Sequence, residues 1–139
     1  MLRLLKRANV SIDKLISVYC TKIRPVLEYA CQVWHGGLTG GLTKQIESIQ
    51  IRAMNIIMPD ASEELALEIA KIPTLENRRK DLCKKLFIEM QDVNHKLHHL
   101  LPPIKVNTRN LSSDKKYPVP KMLDRTRASF VNWCLYNVQ

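Results

Sequence analysis

The chain has 139 residues, with 22 lysines and arginines against 13 aspartates and glutamates, which gives a formal net charge of +9 at pH 7. A chain of this length can bury a core of its own, and its 45% hydrophobic and 25% charged residues exclude a composition typical of disorder. The positive excess favours a polyanionic partner, most often nucleic acid, although a basic protein without such a partner can have the same composition.

The four cysteines lie far apart and form no CxxC pair, which argues against a secreted disulfide scaffold. We therefore expect an intracellular protein in a reducing compartment, with nucleus and cytoplasm not distinguished. No run approaches the ~18 uninterrupted apolar residues of a membrane-spanning helix, so no membrane partner is expected. The basic and apolar start, Met1–Val10, lacks the apolar run and cleavage site of a signal peptide and is typical of the end of a helix.

The first long amphipathic pattern predicts a helix from Ser11, as its N-cap, to about His35. Its opposite stripe is polar and carries Lys14 and Arg24. Pro25 has no amide proton and presses on the preceding turn, so we expect a kink there. A complete break is disfavoured because the apolar spacing keeps its phase on both sides of the proline. The apolar face comprises Ile12, Leu15, Ile16, Tyr19, Ile23, Val26, Leu27, Ala30, Val33 and Trp34.

A glycine-rich turn, "HGGLTGGLT", follows this helix. Gly36 and Gly37 are expected to adopt the left-handed conformation that ends helices, and Thr39 or Thr43 to cap the next helix. No Lys-Ser/Thr pair follows the glycines, so a plain connection is favoured over a phosphate-binding loop. The return helix is predicted from about Thr43 to Met58, with a buried face of Ile46, Ile49, Ala53, Ile56 and Ile57.

Two further helices are predicted downstream. Ser62 should cap a short helix that Pro73 ends, and Thr74 should open a long amphipathic helix to about Leu101. The apolar residues of the long helix recur close to a heptad period: Leu75, Leu82, Leu86, Met90, Val93, Leu97 and Leu100.

Together these elements predict an all-α fold. It is a small helical bundle of a kinked helix, a turn, a return helix and a long amphipathic helix, followed by an extended basic C-terminal tail. The predicted regions are residues 1–59, the first helices; residues 60–103, the short and the long helix; and residues 104–139, a proline-punctuated basic tail with an apolar C-terminal segment.

No constellation of residues indicates catalysis or metal binding. Cys83, His95, His98 and His99 superficially match zinc-ligand spacing, but twelve helical residues would place Cys83 and His95 about 18 Å apart. No cysteine has an identifiable activating base, and no carboxylate pair suits phosphoryl-transfer metals. We therefore predict no enzyme activity, no metal and no cofactor.

Basic residues cluster near the start of the chain, along the long helix and in the segment 105–127. On the long helix, Arg78, Arg79 and Lys85 are expected to form one basic stripe. A basic stripe opposite an apolar one suits a helix that follows phosphates, but such stripes are equally often solvated faces. The candidate backbone contacts, without base readout, are Arg3, Lys6, Arg7, Lys14, Lys22, Arg24, Arg78, Arg79 and Lys85.

The stretch "YCTKIRPVLEYACQVWH", and the return helix after it, resembles the region that follows the palm in reverse transcriptases of jockey-like non-LTR retrotransposons. Downstream, "LENRRKDLCKKL", "LLP" and "RTRASFV" follow the same family pattern in order, so the resemblance covers nearly the whole chain. The matching positions in the first region are Tyr19, Ile23, Arg24, Pro25, Val26, Leu27, Glu28, Tyr29, Ala30, Trp34, Leu38, Leu42, Ile46, Glu47, Gln50, Arg52 and Ala53.

This resemblance implies a helical thumb, residues 1–59, and its C-terminal extension, which close over a template–primer duplex. The polar stripe with Lys14 and Arg24 would then face backbone phosphates. The palm's Tyr-x-Asp-Asp motif and its partner aspartate are missing, so the chain is expected to be a non-catalytic fragment of an RNA-directed DNA polymerase. Its expected partners are an RNA–DNA hybrid or other nucleic acid and, in the full-length ancestor, the missing palm. The alternative is a degenerate remnant or a helical protein-interaction module without nucleic-acid function.

Overall fold

The computed structural model describes residues 1–104, 116–119, 121 and 127–138, so most of the predicted basic tail lies outside the described residues. All regular structure in the described residues is helical, which confirms the predicted all-α bundle. None of the helices in these ranges is long and apolar enough to span a bilayer. The helices are α1 (Leu2–Arg7), α2 (Ile12–Val18), α3 (Arg24–Glu28), α4 (Cys31–Trp34), α5 (Gly40–Ile57), α6 (Glu63–Ala70), α7 (Leu75–Glu89) and α8 (Phe130–Asn137).

The chain forms two compact units, each with its own core. Unit 1 comprises Met1–Ala30 and Thr39–Arg79, and unit 2 comprises Cys31–Leu38 and Lys80–Gln139. The buried core of unit 1 consists of Leu2, Leu15, Tyr19, Ala53, Met54, Ile57, Met58, Ala66 and Ile72. The buried core of unit 2 consists of Cys83, Phe87, Tyr117, Cys134 and Leu135.

The helix continues past Pro25 without a break, as predicted, and the turn before the proline is π-helical. This π-helical segment, Tyr19–Ile23, joins α2 to α3, and Pro25 stands in the first turn of α3. A proline is tolerated in a first turn because the amide donor it lacks would have no partner within the helix. The wider turn before it absorbs the steric pressure of the ring without breaking the helix.

The helix ends earlier than predicted, at Glu28 instead of His35. Tyr29 has an extended ψ of 124° and Ala30 a left-handed φ of 49°, so the chain turns before α4 begins. The predicted apolar stripe is therefore wrong in part: Ala30 and Val33 are exposed after the helix ends, and Ile12 and Val26 are exposed within it. The prediction for the glycines is also wrong, since no glycine has a positive φ and the left-handed positions are Asn9, Ala30 and Lys71.

Helix α5 begins at Gly40, three residues before the predicted start, because Thr39 caps it. The Thr39 hydroxyl accepts a hydrogen bond from the Leu42 amide at 3.4 Å. The predicted buried face is wrong in part: Ala53 and Ile57 are buried, but Ile49 is exposed and Ile46 and Ile56 are only half-buried. Gln50 and Met54 lie at the centre of this face instead.

Gln50 can be buried because both ends of its amide have partners. Its Oε1 accepts from the Tyr19 hydroxyl at 2.7 Å, and its Nε2 donates to the Pro73 carbonyl at 3.0 Å. A buried amide with such partners avoids most of the desolvation cost that an unpaired one would carry. The polar residue thereby connects the π-helical segment to the chain just before α7.

The cap predicted at Ser62 is confirmed, since its hydroxyl accepts from the Leu65 amide at 3.4 Å. Helix α7, however, ends at Glu89 and not at about Leu101. The Asp92 carboxylate accepts from the Asn94 amide at 2.9 Å, a local turn that competes with continued helix. The predicted heptad stripe is therefore wrong beyond Met90: Val93, Leu97 and Leu100 are exposed.

Candidate nucleic-acid interface

Lys14 of α2 and Lys22 of the π-helical segment are both exposed and lie about two turns apart. A π turn accommodates one residue more than an α turn, because its hydrogen bonds join residues five apart. Lys22 is the eighth residue after Lys14, but because of the extra residue it lies where the seventh would lie in an unbroken α-helix. At 3.6 residues per turn, that position is about 20° around the axis from Lys14. The two lysines share one face, roughly 10 Å apart along the axis.

Helix α1 carries two further exposed cations and one that is engaged. Arg3 and Arg7 are exposed and four residues apart, so they lie on one side of the helix. The Lys6 ammonium donates to the Ile57 carbonyl at 2.8 Å. This carbonyl is among the last of α5, which have no partner within the helix, so Lys6 satisfies a helix end and connects α1 to α5.

Arg24 and Arg78 lie on either side of one carboxylate in unit 1. Arg78 Nε lies 2.6 Å from Glu28 Oε1, and Arg24 Nε lies 3.9 Å from the same oxygen. The Glu28 side chain is only 9% exposed, so the cluster holds a net charge of about +1 in a largely desolvated position. The structure thus brings these two candidate residues together at Glu28, and the Nε of Arg78 lies buried against the carboxylate instead of facing solvent.

Arg79 has no accessible surface, and its Nη2 lies 3.6 Å from Glu47 Oε1. The same carboxylate accepts from the backbone amides of Leu75 at 3.1 Å and Glu76 at 2.6 Å. Glu47 of α5 therefore caps the N-terminus of α7, where a negative charge also complements the helix dipole. In this position Arg79 stabilises unit 1 and lies out of reach of a polyanion on the surface.

Lys85 belongs to unit 2, and its side chain is 75% exposed. Its Nζ lies 4.0 Å from Glu89 Oε1, a surface pair of the kind that contributes about 1 kcal/mol or less. The predicted stripe of Arg78, Arg79 and Lys85 is therefore not one accessible surface. The three side chains are respectively paired with Glu28, fully buried and exposed.

Sequence reasoning missed one basic residue, Arg52. It is exposed on α5 and lines, together with Arg3, a groove of about 480 Å³ whose other lining residues are apolar. Arg52 lies within the apolar pattern of the return helix, which predicts a buried face and gives no indication that this arginine is exposed. The packing of α1 against α5 brings the two arginines to the same groove.

Two findings bear on metal binding and on the chemistry of individual side chains in the described residues. Among them, no group of three or more His, Cys, Asp or Glu side chains is arranged to hold a metal ion. Burial raises the pKa of the Tyr19 phenol above its ordinary value, with nearby Arg24 opposing part of the rise. Burial also raises the pKa of the Cys134 thiol to about 12, so this thiol stays protonated near neutral pH.

No family model, no curated protein and no solved structure matches the chain. The candidate interface therefore depends on the exposed cations described above and on the sequence resemblance.

Proposed function

We propose that the chain is the thumb and post-palm region of a jockey-like non-LTR retrotransposon reverse transcriptase, and that it contacts the backbone of a template–primer duplex. The ordered family pattern along the sequence supports the ancestry. The sequence lacks the palm's Tyr-x-Asp-Asp motif, so the proposed role is binding without two-metal catalysis. The observation that supports the contact best is the shared exposed face of Lys14 and Lys22.

The spacing of these two lysines suits a phosphate backbone. Their separation of roughly 10 Å along the axis allows each lysine to contact a different phosphate of the duplex backbone. In the described part of the chain neither Lys14 nor Lys22 lies in an ion pair, so each ammonium can neutralise a phosphate without first losing a carboxylate partner. A lysine bound to a phosphate carries no base information, so the proposed binding is independent of sequence.

Of the candidate contacts in unit 1, four are exposed and available for phosphates: Arg3, Arg7, Lys14 and Lys22. If each neutralises one phosphate, the logarithm of the association constant should fall with the logarithm of salt concentration with a slope of about −3.6. Between 50 and 200 mM KCl the affinity for a labelled RNA–DNA hybrid should then fall by about 150-fold, as measured by fluorescence anisotropy. Binding that does not respond to salt, or no binding at 50 mM KCl, would overturn the proposal.

A second candidate function is a helical protein-interaction module, and the exposure of large apolar side chains favours it. Val26 is 74% exposed and Tyr29 is 80% exposed, both in or just after α3. Proteins that act as monomers rarely expose contiguous apolar surface of large extent, so such residues point to a covering partner. Light scattering tests this candidate: a monomer at every concentration, with little binding of a hydrophobic dye, would contradict it.

A further inference from the structure

Unit 1 has an apolar groove between α1, the π-helical segment and α5. On α5, Ile49, Ala53 and Ile56 follow a three- and four-residue spacing and contribute one wall. The groove has a volume of about 480 Å³, and its charged lining residues are both cationic, Arg3 and Arg52. Ile49 is 42% exposed and Arg52 is exposed, so the groove is open to a ligand from outside.

Helix α6 has the complementary chemistry. Leu65 and Ile69 lie one helical turn apart on one face and are 47% and 54% exposed. Glu64 and Glu68 lie beside them in a parallel row, and both are exposed. Helix α6 is thus an acidic amphipathic helix. Its apolar pair lines a separate open groove of about 370 Å³ with other residues of unit 1 and remains about half exposed.

The dimensions of the two surfaces agree. Leu65 and Ile69 are four residues apart, about 6 Å along α6, whereas the wall from Ile49 to Ile56 runs about 10 Å along α5. Two aliphatic side chains one turn apart therefore fit within the groove, as in other helix-in-groove complexes. The glutamates that accompany them would meet the arginines of the groove.

We propose that the groove of one copy receives α6 of a second copy, with Leu65 and Ile69 in the groove and Glu64 and Glu68 near Arg3 and Arg52. This inference rests on the interaction-module candidate and names its partner and both of its surfaces. The positive charge of the whole chain opposes association, but at 0.15 M ionic strength charges more than about 8 Å apart are largely screened. The local complementarity of the two surfaces then decides the pairing.

The contact joins two different surfaces of the chain, so copies can associate in two ways. Two reciprocal contacts close a twofold dimer, in which α6 of each copy enters the groove of the other. A single contact leaves one free groove and one free α6, to which further copies can add head to tail. In either case the wild-type chain should self-associate as its concentration rises.

Charge reversal provides the test, because all the residues to be changed are exposed. Arg52→Glu disables the groove and leaves α6 intact, whereas the double change Glu64→Lys with Glu68→Lys disables α6 and leaves the groove intact. A matched control is Asp13→Lys with Asp81→Lys, two exposed acidic positions on α2 and α7 that make the same change in charge and do not line the groove. The protein is treated with nuclease first, and far-UV circular dichroism confirms that each variant is folded.

Analytical ultracentrifugation then gives the result. The self-association constant of each disabled variant alone should be at least tenfold lower than that of the wild type. The self-association constant of the control should be unchanged. A 1:1 mixture of the two disabled variants should form a heterodimer, because one supplies a working groove and the other a working α6. That complementation is the outcome the inference requires.

The possible failures point to different conclusions. A wild-type chain that stays monomeric at several hundred micromolar would overturn both the inference and the interaction-module candidate. Association that persists in both disabled variants would overturn the inference alone, since the copies would then meet through another surface. A mixture that fails to form heterodimers, or association that disappears on nuclease treatment, would also overturn it.

Discussion

Replacing Lys14 and Lys22 together with alanine should halve the salt dependence of nucleic-acid binding. Both lysines are exposed and share one face of the helix, so each can neutralise one phosphate and release its counterions. Each contributes about 0.9 to the logarithmic slope, so the slope should change from about −3.6 to about −1.8. Between 50 and 200 mM KCl, the affinity of the double variant should then fall by about 12-fold, compared with about 150-fold for the wild type.

The assay is fluorescence anisotropy of a labelled RNA–DNA hybrid across that salt range. A variant with alanine in place of Lys44 and Lys96 is the matched control, because it removes the same charge from exposed positions on α5 and in the turn after α7. Its slope should stay near the wild-type value. If both double variants lose the same amount of slope, the binding depends on total charge, and the assignment of a particular face is refuted.

Three further predictions concern the stability of the two units. Arg79→Met removes the buried partner of Glu47 and should cost about 3 kcal/mol in urea unfolding; an unchanged unfolding midpoint would show that the pair contributes little. Tyr19→Phe removes the donor to Gln50 and should cost about 1 kcal/mol in the same assay, whereas a gain in stability would contradict a net contribution from that hydrogen bond. The pKa of the Cys134 thiol rises from 9.0 to about 12 on folding, so the unfolded state loses this proton first as pH rises. The contribution of the thiol to the free energy of unfolding is therefore fully present below pH 9 and declines above it. At pH 10 the loss should be about 1.4 kcal/mol by tryptophan fluorescence, and Cys134→Ala should lack this decline.

The features that sequence analysis predicted correctly are those that depend on neighbouring residues. The hydroxyls of Thr39 and Ser62 each accept from an amide three residues away, and such caps can be recognised from the residue type and the apolar pattern that follows. The continuation of the helix past Pro25 likewise depends on the ring and the turn next to it. These local interactions were sufficient to predict the fold class and the order of the main helices.

The features that it did not predict depend on residues distant in sequence. Arg79 was assigned to a surface stripe because it belongs to a run of basic residues on α7, but a carboxylate thirty-two positions earlier, Glu47, lies beside it in the fold. Gln50 is buried for the same reason, since its partners come from the π-helical segment and from the chain before α7. The alignment of Lys14 with Lys22 depends on the inserted residue of the π turn, and a predicted kink alone does not specify that insertion.

Lysine acetylation footprinting tests the proposed contact most directly. The protein is acetylated briefly with and without a saturating RNA–DNA hybrid at low salt, and mass spectrometry measures the modification at each lysine. The proposed interface predicts that the hybrid protects Lys14 and Lys22 several-fold while Lys44 and Lys96 react as before. Equal protection at all four lysines, or none at Lys14 and Lys22, would contradict it.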